Sequence, residues 1–459
     1  MTEYRTERDS MGEMQVPVDA MYGASTARAV ANFPVSDLRF PRELIRALAR
    51  IKCAAATVNQ ALDKLDSDKA ELIRKVTLEV ADGDWDAQFV LDIFQTGSGT
   101  STNMNANEVI AHRAAKIDAD MHIHPNDHVN MGQSSNDVIP TAIHLAASEL
   151  LVHELTPALR YLHAALQKKA AETMDAVKIG RTHLMDATPI TIGQEISGWG
   201  RQIELGIARV HSVLPRITEL AQGGTAVGTG LNTHPEFGAR MAAELSSAYG
   251  IEFREAANHF EAQAAQDAIV ELSGQLKTVA VSLLKIANDV RLLNAGPRCG
   301  LGEISVPAVQ PGSSIMPGKV NPVIAESLAQ VCAQVIGNDA AIVVGGGSGL
   351  LELNVMLPMM AHNLLESERL LTSACRMFAD KCIDGLGANR ARCAEQIDWS
   401  MSMVTSLAPV IGYDRASQIA KQAVAEGKTV RQVCEDVGVL PAGELDRLLN
   451  PESMLAPYG

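Results

Sequence analysis

Apolar residues recur through the middle of the chain at the spacing of long helices. Between residues 262 and 293 they fall at Ala265, Ile269, Leu272, Leu276, Val279, Leu283, Ile286, Val290 and Leu293, in steps of four and three. That is an unbroken a/d seam. At a rise of about 1.5 Å per residue it predicts a helix roughly 45–50 Å long. Val270, Ala280, Leu284 and Ala287 widen the seam, and a helix apolar on more than one side needs more than one neighbour. Comparable patterns cover 138–174, 192–213, 320–344 and 354–378, with Pro157 predicting a kink in the first. Five such helices predict a mainly α bundle that continues across subunits, and so an obligate oligomer.

The flanks read differently. Residues 1–135 are mixed: a short extended segment at 14–18, helices over 42–65 and 68–82, and a polar run at 94–105 leading into a helix over 106–116. Beyond residue 393 the pattern breaks into short helices over 400–411, 415–426, 431–437 and 443–449, separated by Gly, Pro or polar turns. Three domains follow: 1–135, 136–393 and 394–459. The C-terminal helices carry only scattered basic residues among Asp and Glu, which argues against a DNA-reading helix-turn-helix.

Composition narrows the class. A chain of 459 residues, 47% hydrophobic and 20% charged, buries a large core. A net charge of −15 supplies no basic field for nucleic acid or an anionic membrane, so neither is an expected partner. The seven cysteines are scattered, odd in number and form no CxxC pair, which fits a reducing, cytoplasmic setting and gives no zinc or iron–sulfur motif. The polar N-terminus is no secretory signal, and no uncharged apolar run reaches the ~20 residues of a membrane span.

Four polar clusters interrupt the helical pattern. Ser98-Gly99-Thr100 sits in a hydroxyl- and amide-rich run before a helix, which serves either as a plain N-cap or as an anion site. His124-Pro125-Asn126-Asp127 is followed by Ser134-Ser135-Asn136-Asp137; its spacing is no recognised metal pattern, and no metal or cofactor is expected. Gly180-Arg181-Thr182-His183 offers an imidazole for proton transfer, or a structural histidine. The fourth cluster, Gly312-Ser313-Ser314-Ile315-Met316-Pro317-Gly318-Lys319-Val320-Asn321-Pro322, combines two hydroxyls, a lysine and an amide on a loop shaped by two glycines and two prolines. It reads either as a surface turn or as a hinged loop that captures an anion.

Gly312 to Pro322 resembles the signature loop of the fumarase/aspartase superfamily. The other clusters resemble that superfamily's motifs in the same order, as do Gly224-Thr225-Ala226-Val227-Gly228-Thr229-Gly230-Leu231-Asn232 and Gly296-Pro297-Arg298-Cys299-Gly300. The resemblance runs over essentially the whole chain. Within the superfamily the chain is similar to the class II, iron-independent fumarases. Aspartases carry Gln where His183 stands, Ala where Gly318 stands, and a less hydroxyl-rich 97–100. Three departures stand out: Met185 where fumarases commonly have Gln, Pro322-Val323 in the aspartase form, and Met121 where some fumarases place an Arg of a second anion site.

The resemblance implies hydration of fumarate to L-malate, without a cofactor. It implies Ser313 as general base, His183 as its acid–base counterpart and Glu326 as the carboxylate that orients His183. Ser98, Thr100, Ser134, Ser135, Asn136, Thr182, Ser314, Lys319 and Asn321 would bind the dicarboxylate. His124, Asn126 and Asp127 would form a second dicarboxylate site. It also implies a homotetramer with a core of twenty helices and sites shared by three subunits. Two alternatives stand beside it: a related ammonia lyase, and a catalytically silent helical protein of the lens-crystallin kind.

Overall fold

The computed structural model describes residues 3–457. The fold is mainly helical, with four small two-stranded sheets among the described residues. The seam of the central pattern is a continuous helix, Asp267–Leu293. Ile269, Leu272, Leu276, Val279, Leu283, Ile286, Val290 and Leu293 are all buried, as the four-three spacing requires. Ala265 departs from the expectation: it is extended, at φ −98 and ψ 154, and closes a separate short helix, His259–Ala264. The cause is polar. Asn258 caps the short helix, and the Gln263 amide is drawn to the Thr225 carbonyl at 2.7 Å, so the chain turns before the long helix starts.

The other long patterns appear as Ile192–His211, Val323–Gly346 and Leu357–Phe378. The 138–174 pattern is broken as Pro157 predicts. Ser135–Leu150 passes through a wider π-type turn at Leu151–Leu155 into Thr156–Glu172, because the proline ring cannot accommodate a regular preceding turn. The predicted 106–116 helix starts earlier, at Thr100, so Asn103 and Asn105 lie inside it. Helices at Ala24–Asn32, Phe237–Tyr249 and Arg390–Trp399 and a hairpin at Val177–Thr182 and Met185–Thr191 are additional to the predicted elements.

The chain forms two compact units, each assembled from three segments. The first comprises Met1–Pro157, Ala208–Thr278 and Gln334–Leu371. Here Arg42–Ala61 buries Leu44, Leu48, Ile51, Ala55 and Val58 against the helices Ser67–Asp82, Ser135–Leu150 and Phe237–Tyr249. Each large aliphatic side chain so buried contributes about 1.5–3 kcal/mol. Asp66 caps Ser67–Asp82 by accepting from the Asp68 and Lys69 amides, and Gly83, left-handed at φ 97, ends it.

The second unit comprises Ala158–Ile207, Val279–Ala333 and Thr372–Gly459. Its C-terminal helices close a small core of Ile397, Leu407, Ile419, Val433 and Leu445 that takes in Ile179 from the hairpin. Val323–Gly346 is long and apolar enough to cross a membrane by length and composition alone. It carries Asn338 and Asp339, both buried. Asn338 donates to Ser367 at 3.1 Å, and Asp339 accepts from Ser273 at 2.8 Å and Lys277 at 2.6 Å. Such internally paired polar groups belong to a helix packed among other helices.

Candidate active site

The sequence-predicted site residues fall into two sets, one in each unit. In the first unit, Gly99 turns the chain at φ 71 and Thr100 opens its helix. Ser98 Oγ lies 2.7 Å from Thr100 Oγ1, which lies 2.6 Å from Ser135 Oγ, so three hydroxyls form a chain. Ser134 caps the Ser135–Leu150 helix: its Oγ accepts from the Asn136 amide at 3.2 Å, and Asp137 Oδ1 accepts from the Ser134 amide at 2.9 Å. The Asn136 side chain donates to the Ala226 carbonyl at 2.7 Å. Ser98, Thr100, Ser134, Ser135 and Asn136 are therefore assembled where two helix N-termini meet, which suits carboxylate binding.

Two buried charges support this cluster, and the sequence reading gave neither a role. Asp137 is fully buried. Its Oδ2 accepts from the Gly223 amide at 3.1 Å, the Thr225 amide at 2.9 Å and the Gln222 side chain at 3.2 Å. Burial pushes its carboxyl up to about 6, while the backbone donors and Lys52 favour the charged form. Lys52 is also fully buried, and its ammonium donates to Asn103 at 2.8 Å, Asn130 at 2.7 Å and Gln133 at 3.0 Å. Burial lowers it to about 7, against the pull of Asp137. The readable signal was a lysine on the mostly apolar buried stripe of the Arg42–Ala61 helix.

Asn126 and Asp127 lie on a single wide turn, Pro125–Val129, which His124 caps, also in the first unit. His124 Nδ1 accepts from the Asn126 amide at 3.3 Å and the Asp127 amide at 3.1 Å, and lies 3.3 Å from Asp127 Oδ2. Asn126 and Asp127 are exposed. Among the described residues no three His, Cys, Asp or Glu side chains are grouped as metal ligands.

In the second unit, Thr182 and His183 occupy a hairpin rather than a helix end. Thr182 pairs with Met185, and His183 and Leu184 form the two-residue turn at φ 55 and φ 61. Both are left-handed without being glycine, a conformation that costs about 1–2 kcal/mol per residue. His183 is exposed at the tip.

The Gly312–Pro322 segment is an exposed loop tied to itself. The Gly312 amide donates to the Lys319 carbonyl at 2.9 Å, and the Asn321 side chain donates to the Gly312 carbonyl at 2.7 Å. Gly312 is needed for this close approach, since a Cβ there would lie 2.3 Å from the Lys319 carbonyl oxygen. Gly318 supplies the left-handed turn at φ 79. Ser313 Oγ accepts from the Met316 amide at 3.0 Å and the Ile315 amide at 3.3 Å. Ser314 and Lys319 are exposed, and Glu326 lies in the first turn of Val323–Gly346. Among the described residues, no hydrogen bond or ion pair joins His183 to Glu326 or to Ser313.

Comparison with known proteins decides the family. Residues 12–337 match the Lyase family, and residues 403–456 match the Fumarase C C-terminus family. The chain is 54% identical to a class II fumarate hydratase of Corynebacterium glutamicum, over 98% of this chain and 96% of that one. It is 56% identical to the corresponding protein of Mycobacterium tuberculosis, with the same coverage. The chain belongs to the class II fumarase family.

The fold agrees. The class II fumarase of Schistosoma mansoni superposes with a TM-score of 0.97 at 40% identity, covering 100% of both chains. Membership makes the chain a lyase by family. The hydroxyl cluster of the first unit and the signature loop of the second are thus the local geometry of a fumarase-family chain.

Proposed function

We propose that the protein is a fumarate hydratase that catalyses the reversible, stereospecific hydration of fumarate to L-malate in the citric acid cycle. The observation that carries the assignment is Ser313 Oγ, which accepts two backbone amides within its own loop. Two such donors favour the alkoxide over the hydroxyl, as a serine acting as base requires.

The chemistry follows from the substrate. Malate loses its C3 proton to Ser313 Oγ, and the electron pair moves toward the adjacent carboxylate, which becomes a dianionic aci-carboxylate. Lys319 and Asn321 stabilise that charge. The pair then forms the C2–C3 double bond as the C2 hydroxyl departs, protonated from the His183 side to leave as water. Glu326 holds His183 in the required tautomer and charge state. Ser98, Thr100, Ser134, Ser135, Asn136, Thr182 and Ser314 hold the carboxylates, each ionic hydrogen bond contributing about 1.5–3 kcal/mol. His124, Asn126 and Asp127 form a second dicarboxylate site.

The working protein is a cytoplasmic homotetramer, with three domains per chain and three subunits at each site. Its support is exposed apolar surface. Val343, Val344, Leu350 and Leu351 are 49, 64, 77 and 87% exposed. That surface fits burial against copies of the same chain. The test is a parallel assay of fumarate and aspartate. Loss of fumarate absorbance with malate formed, and no ammonia released from aspartate, supports the assignment; ammonia release overturns it.

A further inference from the structure

The hairpin that carries His183 has an unfavourable tip and a buried ionic base. His183 and Leu184 are both left-handed, and Leu184 and Met185 are 73 and 69% exposed. Packing at the tip therefore does little to hold the turn. The base is different. Glu303 is fully buried and its Oε1 accepts from Arg181 at 2.8 Å, while Lys178 lies 3.2 Å from its Oε2. Arg181 also donates to Gln396 at 3.0 Å, and Lys178 to Glu195 at 3.0 Å.

Strand geometry makes this convergence informative. Residues 178 and 181 are an odd number apart, so a regular strand would point their side chains to opposite faces. The pairing shifts register between Ile179 and Arg181, and that irregularity turns both cations toward the same carboxylate. Gly180 is required there, because a Cβ would lie 2.7 Å from the Thr188 carbonyl oxygen. The carboxylate is itself on fixed backbone. The Glu303 amide donates to the Leu293 carbonyl at 3.0 Å, its carbonyl accepts from the Asn389 amide at 2.8 Å, and the next residues, Ile304–Ser305, pair with Gly387–Ala388.

We infer that Glu303 is a positioning residue for the reaction: it clamps Lys178 and Arg181 across the irregular strand and so fixes the strained turn that presents His183. Ten residues farther along the same segment lies Ser313, so one buried carboxylate also anchors the start of the connection to the signature loop. The network is balanced, two cations to two carboxylates. Neutralising Glu303 leaves two cations with Glu195 alone, and a buried charge without its partner shifts the backbone that carries it. The inference rests on His183 taking part in proton transfer.

The test is a double-mutant cycle on the purified full-length protein. Glu303→Gln is expected to lower kcat about 30-fold with KM within about threefold, since small displacements of a reacting group cost up to ~10²-fold. In a His183→Asn background the same change is expected to cost no more than about twofold, because the group being positioned is gone. Glu195→Gln, at the far end of the network, is expected to lower the melting temperature yet leave kcat within about twofold. A kcat unchanged in Glu303→Gln, or a loss that multiplies in full with His183→Asn, overturns the inference. If His183→Asn itself turns over normally, the reading of His183 fails and the inference with it; if His183→Asn is inactive while Glu303→Gln is normal, the inference fails alone. Should Glu303→Gln not fold, Gln396→Leu removes the other partner of Arg181 and is read by the same cycle, with an expected loss of about fivefold.

Discussion

The hydroxyl cluster of the first unit and the signature loop of the second hold their polar groups in opposite ways. Ser98, Thr100 and Ser135 are linked to one another at the starts of two helices, Thr100–Ile117 and the capped Ser135–Leu150, with two buried charges, Lys52 and Asp137, nearby in the same unit. Ser313, Lys319 and Asn321 sit on an exposed loop whose hydrogen bonds, among the described residues, run within the loop itself. Groups that only bind can be fixed in advance on rigid elements, where ordering them costs nothing at the moment of binding. Groups that react must reach the substrate and release the product, and such groups commonly ride on loops.

Substitutions separate the two designs. Ser313→Ala removes the proposed base and is expected to lower kcat by ~10³-fold or more while the melting temperature stays near that of the parent, as for other lost nucleophile or base groups. Near-normal turnover would make the loop a binding element and erase the contrast. Thr100→Val breaks the hydroxyl chain at its middle and is expected to raise KM about tenfold or more with a smaller change in kcat, the worth of one ionic hydrogen bond. A loss confined to kcat would move Thr100 to the reacting side.

The smallest effect concerns the helix behind the cluster. His144 donates through Nδ1 to the Glu219 carbonyl at 2.7 Å, and burial lowers its imidazolium from 6.5 to about 4. The unfolded chain therefore takes up this proton first as the pH falls. Stability from the neutral ring is complete above the unfolded value of 6.5 and is lost progressively toward 4. Between pH 7 and pH 5 the loss is expected to be about 2 kcal/mol or less. Melting curves of His144→Gln, which keeps a donor, are expected to show a flatter acid limb; an unchanged limb would exclude His144 as its source.

Periodicity made the long helices legible. From Ile269 to Leu293 every seam position is buried, because a four-three repeat admits one face only. The pattern misled at Ala265, where the side-chain amide of Gln263 outweighs apolar spacing. The hairpin at Val177–Thr191 was not legible: its turn residues are His and Leu instead of the Asn-Gly that marks such turns, and Pro189 sits within its second strand. Motif residues were readable as chemical types, and the structure groups Ser98, Thr100 and Ser135 by hydrogen bonds. Lys52 could be marked only by its place on a buried stripe, and Glu303 by nothing local, since their roles rest on partners as distant as Gln133 and Arg181.

The two amides on Ser313 come from Ile315 and Met316, inside a ring of chain closed between Gly312 and Lys319. The hydrogen bonds that Ser313 accepts are therefore a self-contained module of the loop. A graft of residues 312–322 that preserved the ring would carry both amide donors with it, and one that replaced Gly312 would lose the close approach that shuts the ring.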